Sequence, residues 1–166
     1  MPALRTSSIT TLLSVVLLSL ALSACGFKLQ RSYQIPEHLS QLHLASSDQY
    51  SELTRLLSDR LRVNSIDLVD ANKQTPTLRL INDSLERATL SLYPNGNVAE
   101  YELIYHVNYS VALPDGEPEF FETAIRRDYK DDPRTALAKS REMELLVKEM
   151  RQQAADRIVQ TLATIN

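Results

Sequence analysis

The sequence predicts an α+β fold, a two-layer sandwich in which two helices pack on one face of about four mostly antiparallel strands. Three observations favour it. Residues 101–113 carry a tyrosine, leucine or valine at every odd position, which is the period of a strand with one buried face. Two other segments carry apolar residues at helical spacing. Turn sequences separate the strands, and the resulting element order is β-α-β-β-β-α.

Residues 1–24 have the three parts of a secretory signal peptide. Arg5 gives a positive start, a mostly apolar stretch follows, and the small residues Ser23 and Ala24 suit a signal peptidase. A transmembrane helix is the alternative, but serines and threonines interrupt the stretch, and a span needs about 20 apolar residues. Because Cys25 directly follows the small pair, we expect cleavage before it, lipidation of its thiol and anchoring by the acyl chains.

The residues after the cleavage site predict the compartment. Aspartate at the second mature position commonly retains a lipoprotein in the inner membrane, and Gly26 stands there instead, so we expect the outer membrane. Cys25 is the only cysteine, which excludes a disulfide within the domain and thiol catalysis. Residues 25–40, polar and containing Pro36, are predicted to be the lipidated N-terminus and a tether. Residues 41–166 are predicted to form a single α+β domain.

The first half of this domain predicts a strand, a helix and a short extended run. Residues 41–44 are the strand. Ser46, Ser47 and Asp48 are candidate N-caps for the helix, which ends near Asn64. Residues 66–69 are the extended run. The apolar face of the helix carries Tyr50, Leu53, Leu57 and Leu61.

The second half predicts a meander followed by a long helix. Residues 77–93 form a strand with an interruption near Asn82, where a bulge fits. An Asn95-Gly96 turn leads to the alternating strand, and a turn at residues 114–116 leads to a strand at 119–129. Asp132 is the predicted N-cap of a helix that ends near residue 164. Its apolar face carries Ala136, Ser140, Met143, Val147, Met150, Ala154, Ile158 and Leu162.

Composition and motifs exclude several classes of function. The formal net charge is −3, and a negatively charged exported protein is a poor nucleic-acid binder. Three glycines are too few for a glycine-rich phosphate loop, and no nucleophile motif occurs. His38, His43 and His106 are widely spaced and predict no metal site. We therefore expect neither an enzyme nor a cofactor.

Four short segments together resemble a known family. They are residues 25–29 (CGFKL), 34–36 (QIP), 95–101 (NGNVAEY) and 136–139 (ALAK). Each is weak by itself, but their order and spacing over residues 25–162 are similar to those of the LptE (RlpB) family of lipopolysaccharide-assembly lipoproteins. The family fold, two helices on a four-stranded sheet, agrees with the predicted elements.

The resemblance implies a function, a partner and a location. Proteins of this family plug the outer-membrane barrel LptD, are needed for its assembly, and bind lipopolysaccharide. The pair forms the translocon that inserts lipopolysaccharide into the outer leaflet. The resemblance therefore implies two partners, the LptD barrel and lipopolysaccharide. It implies a domain that lies on the periplasmic side of the outer membrane and within the barrel lumen.

The resemblance also suggests lipopolysaccharide-binding residues. Family members often carry an arginine just before the Asn-Gly of the hairpin, where this chain has Pro94, whereas the basic residue at the helix start is kept as Lys139. Arginine can bind phosphate through two parallel hydrogen bonds. The candidates are Lys139, Arg134, Arg126 and Arg127. The alternative is a solvated surface whose cations pair locally with Asp128, Asp131 and Asp132.

One alternative function remains open, and another is disfavoured. A free-standing periplasmic lipoprotein that binds glycan or lipid predicts a monomer with a concave apolar pocket. The plug predicts a stable complex with a large buried interface instead. An envelope hydrolase is disfavoured, because no nucleophile and base stand together in a recognisable motif.

Overall fold

The computed structural model describes residues 33–132 and 135–165. In chain order the elements are a 3-10 helix at Glu37–Leu39, β1 at Gln41–Ser46, α1 at Glu52–Val63, β2 at Asp67–Leu68, β3 at Thr77–Leu92, β4 at Val98–Ala112, β5 at Glu119–Lys130 and α2 at Ala136–Leu162. The predicted signal peptide, Cys25, residues 26–32 of the tether and Arg134 lie outside the described residues. Within them, no helix has both the length and the apolarity that a membrane span requires.

The sheet has the strand order β2-β1-β3-β4-β5 and is mixed. β1 runs parallel to both of its neighbours, whereas β3, β4 and β5 are antiparallel. The α+β class is confirmed, with five strands instead of about four. The fifth strand is the short extended run, which pairs with β1 because Val69 N–H donates to the Leu42 carbonyl at 3.0 Å.

One face of β4 forms the centre of the core, as the alternation predicts. Leu103, Tyr105, Val107, Tyr109 and Val111 are each at most 3% exposed. Both helices pack on this side, which is called the helix face below, and the opposite side is called the open face. The helices contribute Leu53, Leu57, Leu61, Met150, Ala154, Ile158 and Leu162 to the same cluster.

Both helices begin later than predicted. The N-cap of α1 is Ser51, whose Oγ accepts the Thr54 N–H at 3.1 Å. The prediction of a cap at Ser46, Ser47 or Asp48 was wrong. Asp48 instead belongs to the preceding turn, where its side chain accepts the Tyr50 N–H. The Asp132 carbonyl accepts the Thr135 N–H at 3.0 Å in a turn before α2, so Thr135 is the N-cap there.

The two helices differ in how much of their apolar face is buried. In α2 the predicted face is buried from Val147 onwards, but Ala136 and Ser140 are exposed. The start of α2 is exposed because α2, with 27 residues, is much longer than α1, with 12. Tyr50, predicted for the apolar face of α1, precedes the helix and is 89% exposed.

The β3–β4 hairpin has the interruption that the sequence predicts. Its register shifts between Leu80 and Asn82, and again between Thr89 and Ser91. At the turn, Gly96 has a φ of 85° and donates its N–H to the Tyr93 carbonyl at 2.9 Å. β1 pairs with β3 only from Thr77 to Leu80, so the rest of β3 is paired with β4 alone among the described strands.

Candidate functional site

Three of the four candidate lipopolysaccharide-binding residues lie where β5 meets α2. Arg126 and Arg127 are consecutive in β5, so their side chains leave opposite faces of the sheet. Arg127 shares the helix face with Tyr129, against which Lys139 of α2 packs. The structure therefore brings Arg127 and Lys139 to one side and places Arg126 on the other.

Lys139 is held by three contacts. Its Nζ lies 5.2 Å from the centroid of the Tyr129 ring and donates to Glu142 Oε2 at 2.8 Å. The Tyr129 hydroxyl donates to the Lys139 carbonyl at 3.0 Å. The Glu142 hydrogen bond raises the pKa of Lys139, so the ammonium stays charged near neutral pH. Burial, then the charge of Asp131, raises the pKa of Tyr129.

The two arginines of β5 are also engaged within the chain. Arg127 donates to the Gln153 side chain at 2.6 Å and to the Arg126 carbonyl at 2.9 Å. Arg126 forms an ion pair with Glu102 of β4 at 2.9 Å on the open face. The partners of these cations are therefore Glu102, Gln153 and Glu142, and the Asp128 and Asp131 pairs expected from sequence are not among the described ion pairs.

The hairpin turn lies at the same end of the sheet as Lys139. The Tyr93 hydroxyl, directly before Pro94, donates to the Asp131 carbonyl at 3.0 Å. Asp131 in turn donates its N–H to the Ala99 carbonyl at 2.9 Å. Tyr93, the residue before Pro94, is thus tied to the junction of β5 and α2.

Cross-strand polar pairs line the open face. His106 Nδ1 lies 2.7 Å from Glu122 Oε1, and its Nε2 lies 4.0 Å from Glu86 Oε2. Asn108 donates to Asn82 at 3.0 Å. The carboxylates contact opposite nitrogens of the imidazole, so the three groups do not converge on one point. The described residues contain no cluster of three His, Cys, Asp or Glu side chains that could hold a metal ion.

A network that the sequence does not reveal joins four elements. Glu52 at the start of α1 pairs with Arg151 of α2, whose guanidinium lies 5.8 Å from the centroid of the Tyr105 ring. The Tyr105 hydroxyl donates to Asp83 Oδ2 of β3 at 2.5 Å. Burial raises the pKa of Tyr105, and the Asp83 bond raises it further. These residues are up to 99 positions apart, so no local pattern indicates their contact.

A surface groove of about 690 Å³ lies beside this network, between α2 and the start of α1. Met143, Leu145 and Val147 supply apolar side chains to it. Its charged lining residues are Arg141, Lys148, Arg151, Glu52 and Glu144. Leu145 is 63% exposed. The groove is a second place where an amphipathic ligand could bind, at a different part of α2 from Lys139.

Comparisons with known proteins agree with one another. The family model LptE, described as lipopolysaccharide-assembly, matches residues 39–162. The LPS-assembly lipoprotein LptE of Yersinia pestis (strain Pestoides F) is 39% identical over 165 residues, which cover 98% of this chain and 79% of the relative.

Solved structures give the same fold. The crystal structure of rare lipoprotein B from Shewanella oneidensis is 69% identical, with a TM-score of 0.71, and the match covers 75% of this chain and 94% of that one. The solution structure of an uncharacterized lipoprotein B from Nitrosomonas europaea is 20% identical, with a TM-score of 0.65 over 83% of this chain and 90% of that one. At that identity the likeness shows the fold alone.

Proposed function

Because this chain belongs to the LptE family of lipopolysaccharide-assembly lipoproteins, we propose that it plugs and helps to assemble an LptD-type outer-membrane β-barrel. The pair inserts lipopolysaccharide into the outer leaflet. The observation that carries this proposal is the match over residues 39–162, nearly the whole of the domain. Membership of this family also confirms that the chain is not an enzyme.

The proposed location follows from the N-terminal sequence. Acyl chains on Cys25 anchor the protein in the outer membrane, and Gly26 at the next position lacks the aspartate that favours inner-membrane retention. The domain then lies on the periplasmic side and within the barrel lumen. Metabolic labelling with a radioactive fatty acid tests the anchor. We expect label on the unaltered chain and none on Cys25→Ser.

The domain also binds lipopolysaccharide at the end of the sheet where Lys139 lies. An ammonium group has three donor hydrogens, and Lys139 uses one for Glu142, so two remain for phosphate oxygens of lipid A. Arg127 lies on the same face, but its guanidinium binds Gln153, which follows Lys139 by roughly 21 Å along the α2 axis at about 1.5 Å per residue. Arg127 therefore extends the proposed site along the helix instead of converging on Lys139. Arg126 and Arg134 complete the proposed set, with Arg126 approaching from the open face.

Co-purification tests the plug. The tagged chain, expressed with its own signal peptide, is extracted from outer membranes in mild detergent. We expect a large β-barrel protein in about equimolar amount, because obligate interfaces typically bury more than about 2,000 Å². Recovery of the lipoprotein alone, under conditions that keep other barrel complexes intact, would contradict the proposal.

A charge reversal tests the lipopolysaccharide site. Lys139→Glu should weaken binding of purified lipopolysaccharide, and Arg157→Glu is the matched control, because Arg157 is an exposed cation on the same helix and lies outside the groove. Equal weakening by the two variants would indicate general electrostatic attraction. No weakening by Lys139→Glu would exclude Lys139 from the site.

The groove between α2 and α1 supports one other candidate function, a free-standing lipoprotein that binds lipid or glycan. Its three apolar residues, with three cations against two carboxylates, suit an amphiphile with an anionic head. This alternative predicts that the purified monomer binds lipid with no barrel present and that Leu145→Asp abolishes the binding. Lipopolysaccharide binding that depends on Lys139 and not on Leu145 would contradict it.

A further inference from the structure

The outer part of β3 is an open sheet edge. β1 leaves the sheet after pairing with Leu80, and no other described strand continues beside β3. Residues 82–92, called the open edge below, are paired with β4 on one side only. At about 3.3 Å per residue this edge is roughly 36 Å long. Its outward N–H and C=O groups form a row of alternating donors and acceptors.

The side chains after Leu80 in β3 are exposed as well as its edge. Ten consecutive residues, 81–90, are exposed, although a strand on a core normally buries every second one. Four large apolar side chains are among the exposed residues of this strand. They are Ile81 at 41%, Leu85 at 36%, Leu90 at 51% and Leu92 at 60%.

β5, at the other end of the sheet, shows how this protein protects an edge. Six of its twelve residues are charged. The open edge of β3 has three charged residues in eleven, with no lysine and no proline. Charges, lysines and prolines are the usual means by which sheet edges avoid pairing with other chains. The sheet is therefore protected at β5 and left available at β3.

We propose that the open edge of β3 receives an extended segment of the barrel partner as an additional strand, an inference that rests on the proposed function. A backbone strand is the occupant that matches a row of N–H and C=O groups at strand spacing. Acyl chains cannot satisfy these groups, which excludes lipid as the main occupant. The apolar side chains on the edge then pack against alternate residues of the added strand.

Site-specific photocrosslinking tests this inference in the intact complex. The crosslinker p-benzoylphenylalanine replaces Leu85, Arg87 or Thr89 in the full chain, co-expressed with its barrel. The three positions share one face and are two residues apart. Phe120 is the matched control, because it lies on the protected edge strand and is 73% exposed.

We expect all three β3 positions to crosslink to one segment of the barrel chain. The crosslinked partner residues, located by mass spectrometry, should advance in steps of two in a single direction, since paired strands keep register. Phe120 should give no such series. A ladder of this kind is the signature of strand pairing, which a contact through side chains alone does not produce.

The other outcomes overturn the inference. They are crosslinks without register, to a second copy, to residues 1–32 of the same chain or to lipid, or no crosslinks although the barrel co-purifies. Failure of the unaltered chain to co-purify with a barrel is a separate result, since it removes the proposed function and the inference together.

A lysine scan gives an independent measurement. Leu85→Lys should lower barrel recovery roughly tenfold, because a lysine on an edge disfavours strand pairing, whereas Phe120→Lys should leave recovery unchanged. Urea unfolding of both variants shows whether the fold is kept. A folded Leu85→Lys variant with full recovery of the barrel would overturn the inference.

Discussion

Replacing Tyr105 with phenylalanine tests whether the network across the helix face stabilises the fold. The Tyr105 ring is 1% exposed, so the substitution keeps the apolar packing and removes one hydroxyl. That hydroxyl donates to Asp83 at 2.5 Å. A hydrogen bond to a charged group contributes about 1.5–3 kcal/mol. Asp83 lies on the exposed part of β3, where water replaces the lost donor. We therefore expect a loss of about 1–2 kcal/mol in the free energy of unfolding at pH 7.

The same substitution has a defined effect at alkaline pH. Burial and the Asp83 bond raise the pKa of Tyr105 in the folded chain, whereas in the unfolded chain it is about 10. Above pH 10 the unfolded state binds fewer protons than the folded state. The unaltered protein therefore loses up to about 1.4 kcal/mol of stability per pH unit through this group. Tyr105→Phe lacks this loss.

Urea unfolding followed by circular dichroism at pH 7, 10 and 11 measures both effects. The unaltered chain should be the more stable at pH 7, and the two chains should become about equally stable near pH 11. Other tyrosines and the lysines titrate alike in both chains and cancel in the comparison. A stability difference that stays constant from pH 7 to pH 11 would refute the assigned role of the Tyr105 hydroxyl.

Three substitutions test other parts of the fold by urea unfolding. Ile158→Ala should cost about 2–5 kcal/mol, because Ile158 is completely buried between α2 and the sheet, and a smaller cost would mean that the core refills the cavity. Asp156→Asn should change stability by less than about 1 kcal/mol, because burial raises the pKa of Asp156 despite its 2.6 Å pair with Arg60, and a larger loss would show that the pair dominates. Gly96→Ala should cost about 1–2 kcal/mol, since the φ of 85° disfavours a side chain, whereas no cost would imply that the turn rearranges.

Local patterns determine much of this fold, and the sequence predicts those parts well. The alternation in residues 101–113 identifies β4 and its buried face, because side chains on a strand alternate whatever lies beside it. The interruption near Asn82 in β3 was also predicted, and the β3–β4 register shifts there. Family resemblance, carried by four short segments, is confirmed by matches over nearly the whole chain.

Features that depend on distant contacts could not be predicted. β2 is two residues long and is a strand only because β1 lies beside it. Arg126 and Arg127 were grouped with Lys139 as candidates, and only the structure shows that Arg127 shares the side of Lys139 while Arg126 lies on the open face. The network from Glu52 to Asp83 joins four elements across the core, and no spacing in the sequence indicates it.

The parallel pairing of β1 has a consequence for the order of folding. β3, β4 and β5 are joined by short turns, so their pairing closes small loops and can form early. β1 must instead pair its residues 43–46 with residues 77–80, which lie beyond α1 and β2 in the chain. It also takes a position between β2 and β3 in the sheet. We therefore expect the meander to form first and the N-terminal β-α-β segment to assemble on it last. In native-state hydrogen exchange, the amides of that segment should open at lower free energy than those of β4.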